Sequence, residues 1–527
     1  MAPVNVDRKV SPRLAGARLS FRAPGAVTLS LAIAIASAAL RLLMMSRQGG
    51  LFGDIEYDDG VHLGSSVLLV HGHVLYRDQL FLHPPGISLL LLPFAWASSW
   101  VGQATALALT RLTTVAVGAA VAGLLTYIVR RDSSRRRALL AGGFAAVLAP
   151  SIVAGSTLML EPWLGLFGLL AVERLTRSSP RRIDIALAGV YLGVATTIKA
   201  WGVIPLLGVA LWLLWERRSR DALRLTSAAV VTLVVVIGPF LLLSGGRLLN
   251  DVAWTQLRRP PDGVQGLLAR TAGLLGLNGH LSSGSQLLAA LILIATALLM
   301  ARAAFTPGVA RLSAIVLAIA IPVFAHAPSF FFHYGDFFTP WAALLIATQP
   351  AFRWSRRRAI AAPARVFVVA AAILIGGLLY QSIDLMRHQE AADINAGRLQ
   401  RIVGQHSCVV SDQVSLLLLA GAFDRAGCPS WLDPRGAALN ELRGPDTAGF
   451  YPSGFQRLPR WQHEYVALMS HADFLILSGE PCGHAEWTRA TCQWVQGHFA
   501  RIAEVGHAGP AKIPAQVWQR MPARKRL

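Results

Sequence analysis

Apolar run follows apolar run along this chain, and that pattern limits its possible folds more than any other feature. A helix crossing about 30 Å of hydrocarbon needs roughly 20 mostly apolar residues, somewhat fewer where its ends are buried in protein. Segments 26–45, 104–129, 138–155, 162–174, 183–199, 201–215, 225–244, 286–301, 311–326, 337–350 and 366–384 fit that description and predict eleven spans. A further run, 86–101, is short, contains Pro93 and follows the rigid Pro84-Pro85 pair. It reads as a juxtamembrane helix.

Composition agrees with this fold class. Hydrophobic residues make up 54% of 527, charged residues 15%, and mean hydropathy is +0.49. Such a chain is too apolar to be disordered. Four Cys in this length exclude a disulfide-dense miniprotein. The net charge of +21 and pI near 11.1 invite a nucleic-acid reading. Sorting the charge by segment removes it. Cytoplasmic loops of membrane proteins carry an excess of Lys and Arg. If the basic N-terminal tail and the loops 130–137, 174–184, 216–224, 302–311 and 353–365 face inside, they hold 25 basic and 5 acidic residues. Almost the whole excess is then topological, and no nucleic-acid partner is expected.

The expected architecture is a mainly α, multi-pass protein of the inner (plasma) membrane, with the N-terminus cytoplasmic. Tail 1–25 precedes a transmembrane core, 26–384, and an extracytoplasmic α/β domain, 385–527. That domain shows short apolar runs, Cys408–Ser411 and Phe474–Leu477, among helical stretches at Gln462–Ser470 and Glu486–Phe499. It holds all four Cys. An extracytoplasmic domain keeps disulfides, and sequence-local pairing, Cys408–Cys428 with Cys482–Cys492, is preferred over the other two connectivities. A Cys metal site is the weaker reading, because no CxxC spacing occurs.

Chemistry points to the first outer loop, 46–103, which has five acidic residues against two basic ones. Asp54, Glu56, Asp58 and Asp59 fall within six residues. Their repulsion needs relief by cations, a metal or raised pKa values. Tyr57, four His (62, 71, 73, 83), Tyr76-Arg77-Asp78 and His83-Pro84-Pro85-Gly86 share the loop. Charged residues inside spans are costly and usually functional, and Arg41, Arg111, Glu161 and Lys199 lie at the outer span ends. Snorkelling to the interface is the plain reading for Arg41 and Arg111. A second outer cluster runs from His326 through His333-Tyr334 to Asp336.

At these residues the chain resembles GT-C glycosyltransferases, specifically the family 39-like group that includes protein O-mannosyltransferases and the lipid A aminoarabinose transferase. The resemblance rests on Asp58-Asp59, Gly60, Tyr76-Arg77-Asp78, His83-Pro84-Pro85-Gly86, Glu161-Pro162, Lys199 and His333-Tyr334. Asp59 departs from the Glu frequent in relatives. The resemblance implies a polyprenyl-phosphate sugar as donor and a hydroxyl as acceptor, on a cell-envelope glycan, lipoglycan or protein at the outer face. It implies inversion, with Asp58 as general base and Asp59 and Glu161 as catalytic partners. Tyr57, Arg77, His83, Lys199, His333 and Tyr334 would bind substrate. No cofactor is certain, although Asp58 and Asp59 could hold Mg²⁺ or Mn²⁺. The Arg-rich composition looks actinobacterial, which favours arabinose or mannose on decaprenyl phosphate. The alternative is a polytopic transporter or lipid-linked sugar flippase; a non-catalytic scaffold is disfavoured by the carboxylate cluster.

Overall fold

The computed structural model describes residues 25–259, 266–275, 283–349, 378–388, 391–441, 454, 458–484, 486–509 and 513–522. Helices occupy ten of the eleven expected spans. Ala26–Arg47, Gln103–Asp132, Ser219–Ser244, Gln286–Ala304 and Val309–His326 are each long and apolar enough to cross a bilayer. Arg135–Val147 and Ala149–Ser156 form a sixth, bent by 58°. The bend falls at Leu148, just before Pro150, whose ring cannot continue the preceding helix.

Glu161–Leu175, Arg182–Ile198, Val203–Trp215 and Gly335–Ala347 are shorter, at 13 to 17 residues. At 1.5 Å per residue these reach at most about 25 Å. Glu161–Leu175 and Gly335–Ala347 are largely buried by their neighbours, whereas Val203–Trp215 leaves Leu207, Leu211, Leu214 and Trp215 exposed. Most of the expected eleventh span, 366–384, lies outside the described residues; its end is helical over 378–388.

The apolar run 86–101 folds as two short helices, Gly86–Leu90 and Leu92–Val101. Trp96 and Trp100 are exposed on the second, as expected for aromatic side chains at a membrane interface. Arg41 and Arg111 do not snorkel. Both are fully buried, and Arg41 shares the interior with Asp336.

The C-terminal region is an α/β domain around a four-stranded sheet of order β1-β2-β4-β3. Its strands are β1 (Val409–Ser411), β2 (Phe474–Ser478), β3 (Phe499–Ala508) and β4 (Ile513–Arg520). β1 and β2 run parallel, with Val410 opposite Leu475; β4 is antiparallel to β2 and β3, with Leu475 opposite Trp518. Helices Pro459–Met469 and Arg489–His498 flank the sheet. Trp461, Tyr465, Leu475 and Trp518 meet in its core. Cys408 is bonded to Cys428 and Cys482 to Cys492.

This domain sits directly on the first loop. Residues 57–70, within that loop, form a helix, Tyr57–Val70, buried from Asp59 to Leu68. It packs on the Val414–Leu419 helix of the C-terminal domain. Gly60 permits the approach, because a Cβ there would lie 2.1 Å from the Ser415 nitrogen. Gln103 makes a reciprocal pair of bonds with the Phe423 backbone, at 2.8 and 3.1 Å. His71 and His73 both reach Asp424, at 2.7 and 3.3 Å. One buried apolar core runs from the span helices into the domain, through Leu416, Leu417 and Val517.

Candidate active site

Asp58 and Asp59 are neighbours on one helical turn, so their side chains point about 100° apart. Asp59 turns inward and is saturated. Its Oδ2 accepts from Arg111 at 2.7 Å. Its Oδ1 accepts from the Thr157 hydroxyl and from the Leu158 N–H at 2.7 Å. Both side chains are 0% exposed, and Arg111 also binds the carbonyls of Leu51 and Gly53. A carboxylate offers about four lone-pair positions; three accept hydrogen bonds, and Arg111 Nη2 lies 2.7 Å from Oδ2 as an ion-pair contact. The geometry does not favour a metal shared by Asp58 and Asp59. The pair does not converge, Asp59 has nothing left to coordinate with, and no metal-binding group of three or more His, Cys, Asp or Glu occurs among the described residues. Asp59 positions the helix that carries Asp58.

Asp58 is half-buried and takes no hydrogen bond or ion pair among the described residues. It faces the second cluster. Glu161, Lys199, Asp58 and His62 all lie close enough to His333 to act on its charge. Glu161, at the start of the Glu161–Leu175 helix, is fully buried. Its Oε1 accepts from Lys199 Nζ at 2.6 Å and lies 3.9 Å from His333 Nε2. Its Oε2 has no partner among the described residues. Lys199 ends the Arg182–Ile198 helix as its C-cap. Its ammonium sits 3.9 Å from the Trp201 ring and 4.9 Å from Tyr334. An ammonium has three donors, and Glu161 uses one.

The turns of the first loop hold His83 in this group. Tyr76 adopts φ = +67°, an uncommon value for a non-glycine residue, and its N–H closes a turn onto the Gln79 carbonyl at 2.8 Å. From there its hydroxyl donates to the His83 carbonyl at 2.7 Å. Burial, then His62, Lys199 and Arg259, push the His83 imidazole well below its ordinary pKa. It is neutral at pH 7, a hydrogen-bonding group and not a cation. His333 is lowered too, chiefly by burial.

Arg77 lies apart from this group. It is bonded through Nε and Nη2 to Asp78, with its side chain 48% exposed. It braces the outside of the turn and does not face the site. His71 and His73 lie at the domain seam. Asp54 also serves that seam, accepting from the Ser415 hydroxyl while its backbone bonds Ala392 and Gly509. Tyr57 points to the C-terminal domain, where its hydroxyl donates to Asp433 at 2.8 Å.

Two participants escaped the sequence reading. Arg259 lies near His83 and Tyr334 and 5.7 Å from the Phe331 ring. The signal was its place in an Arg-Arg-Pro-Pro loop between apolar runs. Asp433 carried no local signal at all.

Comparison with known proteins agrees with the fold. A family model described as Glycosyltransferase family 87 matches residues 81–328. The chain resembles the crystal structure of ArnT from Cupriavidus metallidurans bound to undecaprenyl phosphate, at 14% identity and TM-score 0.58, over 94% of this chain and 98% of that one. It also resembles the oligosaccharyltransferase of Archaeoglobus fulgidus in the apo form, at 11% identity and TM-score 0.52, over 96% of this chain and 76% of that one. No curated protein sequence matches. The motifs pointed to a family 39-like member of the superfamily, and the model that matches is that of family 87. The chain thus has the fold of these membrane glycosyltransferases, and the family model that matches it is a glycosyltransferase one.

Proposed function

We propose that this chain moves a sugar from a polyprenyl-phosphate donor to a hydroxyl of a cell-envelope glycan or lipoglycan at the outer face of the membrane. The observation that carries the reading is Asp58, an unpaired carboxylate at the mouth of a site walled by Lys199 and Arg259. A general base needs one free carboxylate within reach of the acceptor proton. A leaving phosphate needs fixed cations where its charge develops. In the proposed step the Asp58 carboxylate takes the acceptor O–H proton and the acceptor oxygen attacks the anomeric carbon. The bond from that carbon to the phosphate oxygen breaks, and its electron pair stays with the phosphate, beside Lys199 and Arg259. One in-line displacement inverts the anomeric centre. His83 and His333 donate or accept hydrogen bonds, and Glu161 orients Lys199.

A place for the lipid tail adjoins the cations. Helices 135–147, 267–274, 283–304, 309–326 and 335–347 line a partly open apolar cavity of about 120 Å³, bounded by Phe144, Leu274, Ile321, Phe324 and Phe338 among others. Phe324, in the cavity wall, also packs against Trp201 at 4.5 Å between ring centroids, and Trp201 carries Lys199 over its ring. The similarly folded ArnT is described as bound to undecaprenyl phosphate. Arabinose and mannose on decaprenyl phosphate are the donors to try first. The test uses purified chain in proteoliposomes with each labelled donor and a glycan acceptor. Label in the glycan supports transfer. Donor crossing the bilayer with no label in any acceptor would instead make the chain a flippase.

A further inference from the structure

One wall of the site belongs to the C-terminal domain. Segment 430–436 is fixed from several sides. Gln79 of the first loop donates to the Ser430 carbonyl at 2.9 Å and accepts from the Leu432 N–H at 3.2 Å. Trp461 donates to the Pro434 carbonyl at 2.9 Å. Further along the Pro434–Glu441 helix, Asn440 accepts from Asn250 at 2.8 Å and from Thr255 at 3.2 Å.

Held in this way, Asp433 comes against Tyr57, the residue before the candidate base. Its Oδ1 accepts from the Tyr57 hydroxyl at 2.8 Å and from the Gly436 N–H at 2.7 Å. The Arg435 guanidinium lies 4.5 Å from the Tyr57 ring centroid and is anchored by Glu486 at 2.7 Å. Asp433 Oδ2 takes no hydrogen bond among the described residues. Burial first, and the nearby Asp58 carboxylate as well, raise the Asp433 pKa.

A helix cap accounts for Oδ1 but not for the choice of Asp. Asn caps a helix as well and would avoid placing another acid beside Asp58. The unused group is an anionic oxygen, which accepts a hydroxyl proton more strongly than a neutral one. The same site holds two buried atoms without partners among the described residues, Glu161 Oε2 and His62 Nε2. These are groups that a polar ligand satisfies.

We propose that Asp433 Oδ2 binds a hydroxyl of the acceptor, and that the acceptor is a polyol, a sugar chain seated between the Tyr57–Val70 helix and segment 430–436. The proposal rests on the glycosyltransfer reading above and adds the C-terminal domain to the site. It makes Asp433 a residue that chooses between a sugar hydroxyl and water.

The test compares two fates of one donor. The full chain is given labelled decaprenyl-phosphate mannose, and in parallel the arabinose donor, with n-octyl α-mannopyranoside as acceptor probe. Transfer and hydrolysis by water are counted together. Asp433→Asn keeps the cap oxygen and replaces Oδ2 by a donor. It should raise the acceptor KM and lower the ratio of transfer to hydrolysis by about tenfold or more, the usual effect of losing a hydrogen bond to a charged group. Tyr57→Phe releases Asp433 without touching its charge and should move the same ratio in the same direction. An unchanged ratio and acceptor KM in both variants would overturn the proposal. Transfer and hydrolysis falling equally would also overturn it, since Asp433 would then act through Asp58. Wild-type chain that neither transfers nor hydrolyses either donor defeats the glycosyltransfer reading itself, a result distinct from an unchanged ratio.

Discussion

Four carboxylates between Asp54 and Asp59 repel one another unless something relieves them, and the fold treats each differently. Asp59 is neutralised by Arg111. Glu56 is relieved by protonation, since burial pushes its pKa up to about 8, while Asp54, raised by burial to about 6, is held by the Ser415 hydroxyl and the nearby Arg111. Asp58 alone stays half-exposed and unpaired. Glu56 is consequently a neutral acid near pH 7 and does not compete for the base role. Its folded pKa lies above the ordinary value of 4.5, so the folded chain binds more protons than the unfolded chain between those values. Stability from this group is present at low pH and lost as pH rises from about 4.5 through about 8. Glu56→Gln should flatten that part of the stability profile and raise the unfolding temperature relative to wild type at pH 8.5; an unchanged slope would count against a buried, protonated Glu56. Arg111→Met removes one partner of a fully buried pair and should cost about 3–5 kcal/mol in detergent unfolding. Arg77→Met, on an exposed, solvent-screened pair, should leave stability nearly unchanged. Equal losses from the two would contradict the roles given to them. The motif marked these residues but not their fates. The partners of Asp59 and Tyr57 lie 52 and 376 residues away, beyond any spacing rule.

At the scale of elements, legibility followed length and exposure. Long apolar helices were plain, because lipid-facing runs have no alternative to apolar side chains. The first-loop helix was read only as a polar cluster. It is buried on nearly every face, so Tyr57–Val70 lacks an amphipathic stripe, and its His62, Ser65 and Ser66 turn into protein. β1 and β2 matched the short apolar runs expected in the domain. β3 and β4 went unread, because β3 alternates irregularly, with register shifts at Arg501/Ala503 and Glu504/His507. Gly60 shows what its helix depends on. A side chain there would meet the Ser415 backbone, so Gly60→Val should destabilise the chain by about 1–3 kcal/mol through overpacking and displace Asp58 enough to reduce turnover. Wild-type unfolding temperature and turnover in that variant would show that the helix does not need this close approach.

For the whole molecule, the fold class, the multi-pass character and the extra domain were legible because charge and hydropathy sort along the chain. The joint between core and domain was not. It depends on shape, with the 430–436 segment, the Tyr57–Val70 helix and the Lys199 platform arriving from three distant parts of the sequence. The proposed site is thus a property of the assembled chain, with the Asp58 carboxylate as its proposed central element. The most direct measurement separates binding from chemistry in Asp58→Asn, by following donor binding and single-turnover transfer in the same preparation. Turnover should fall by about 10²–10⁴, the range of general-base catalysis, while the donor still binds. Transfer at the wild-type rate, or loss of donor binding in step with turnover, would contradict Asp58 as the base.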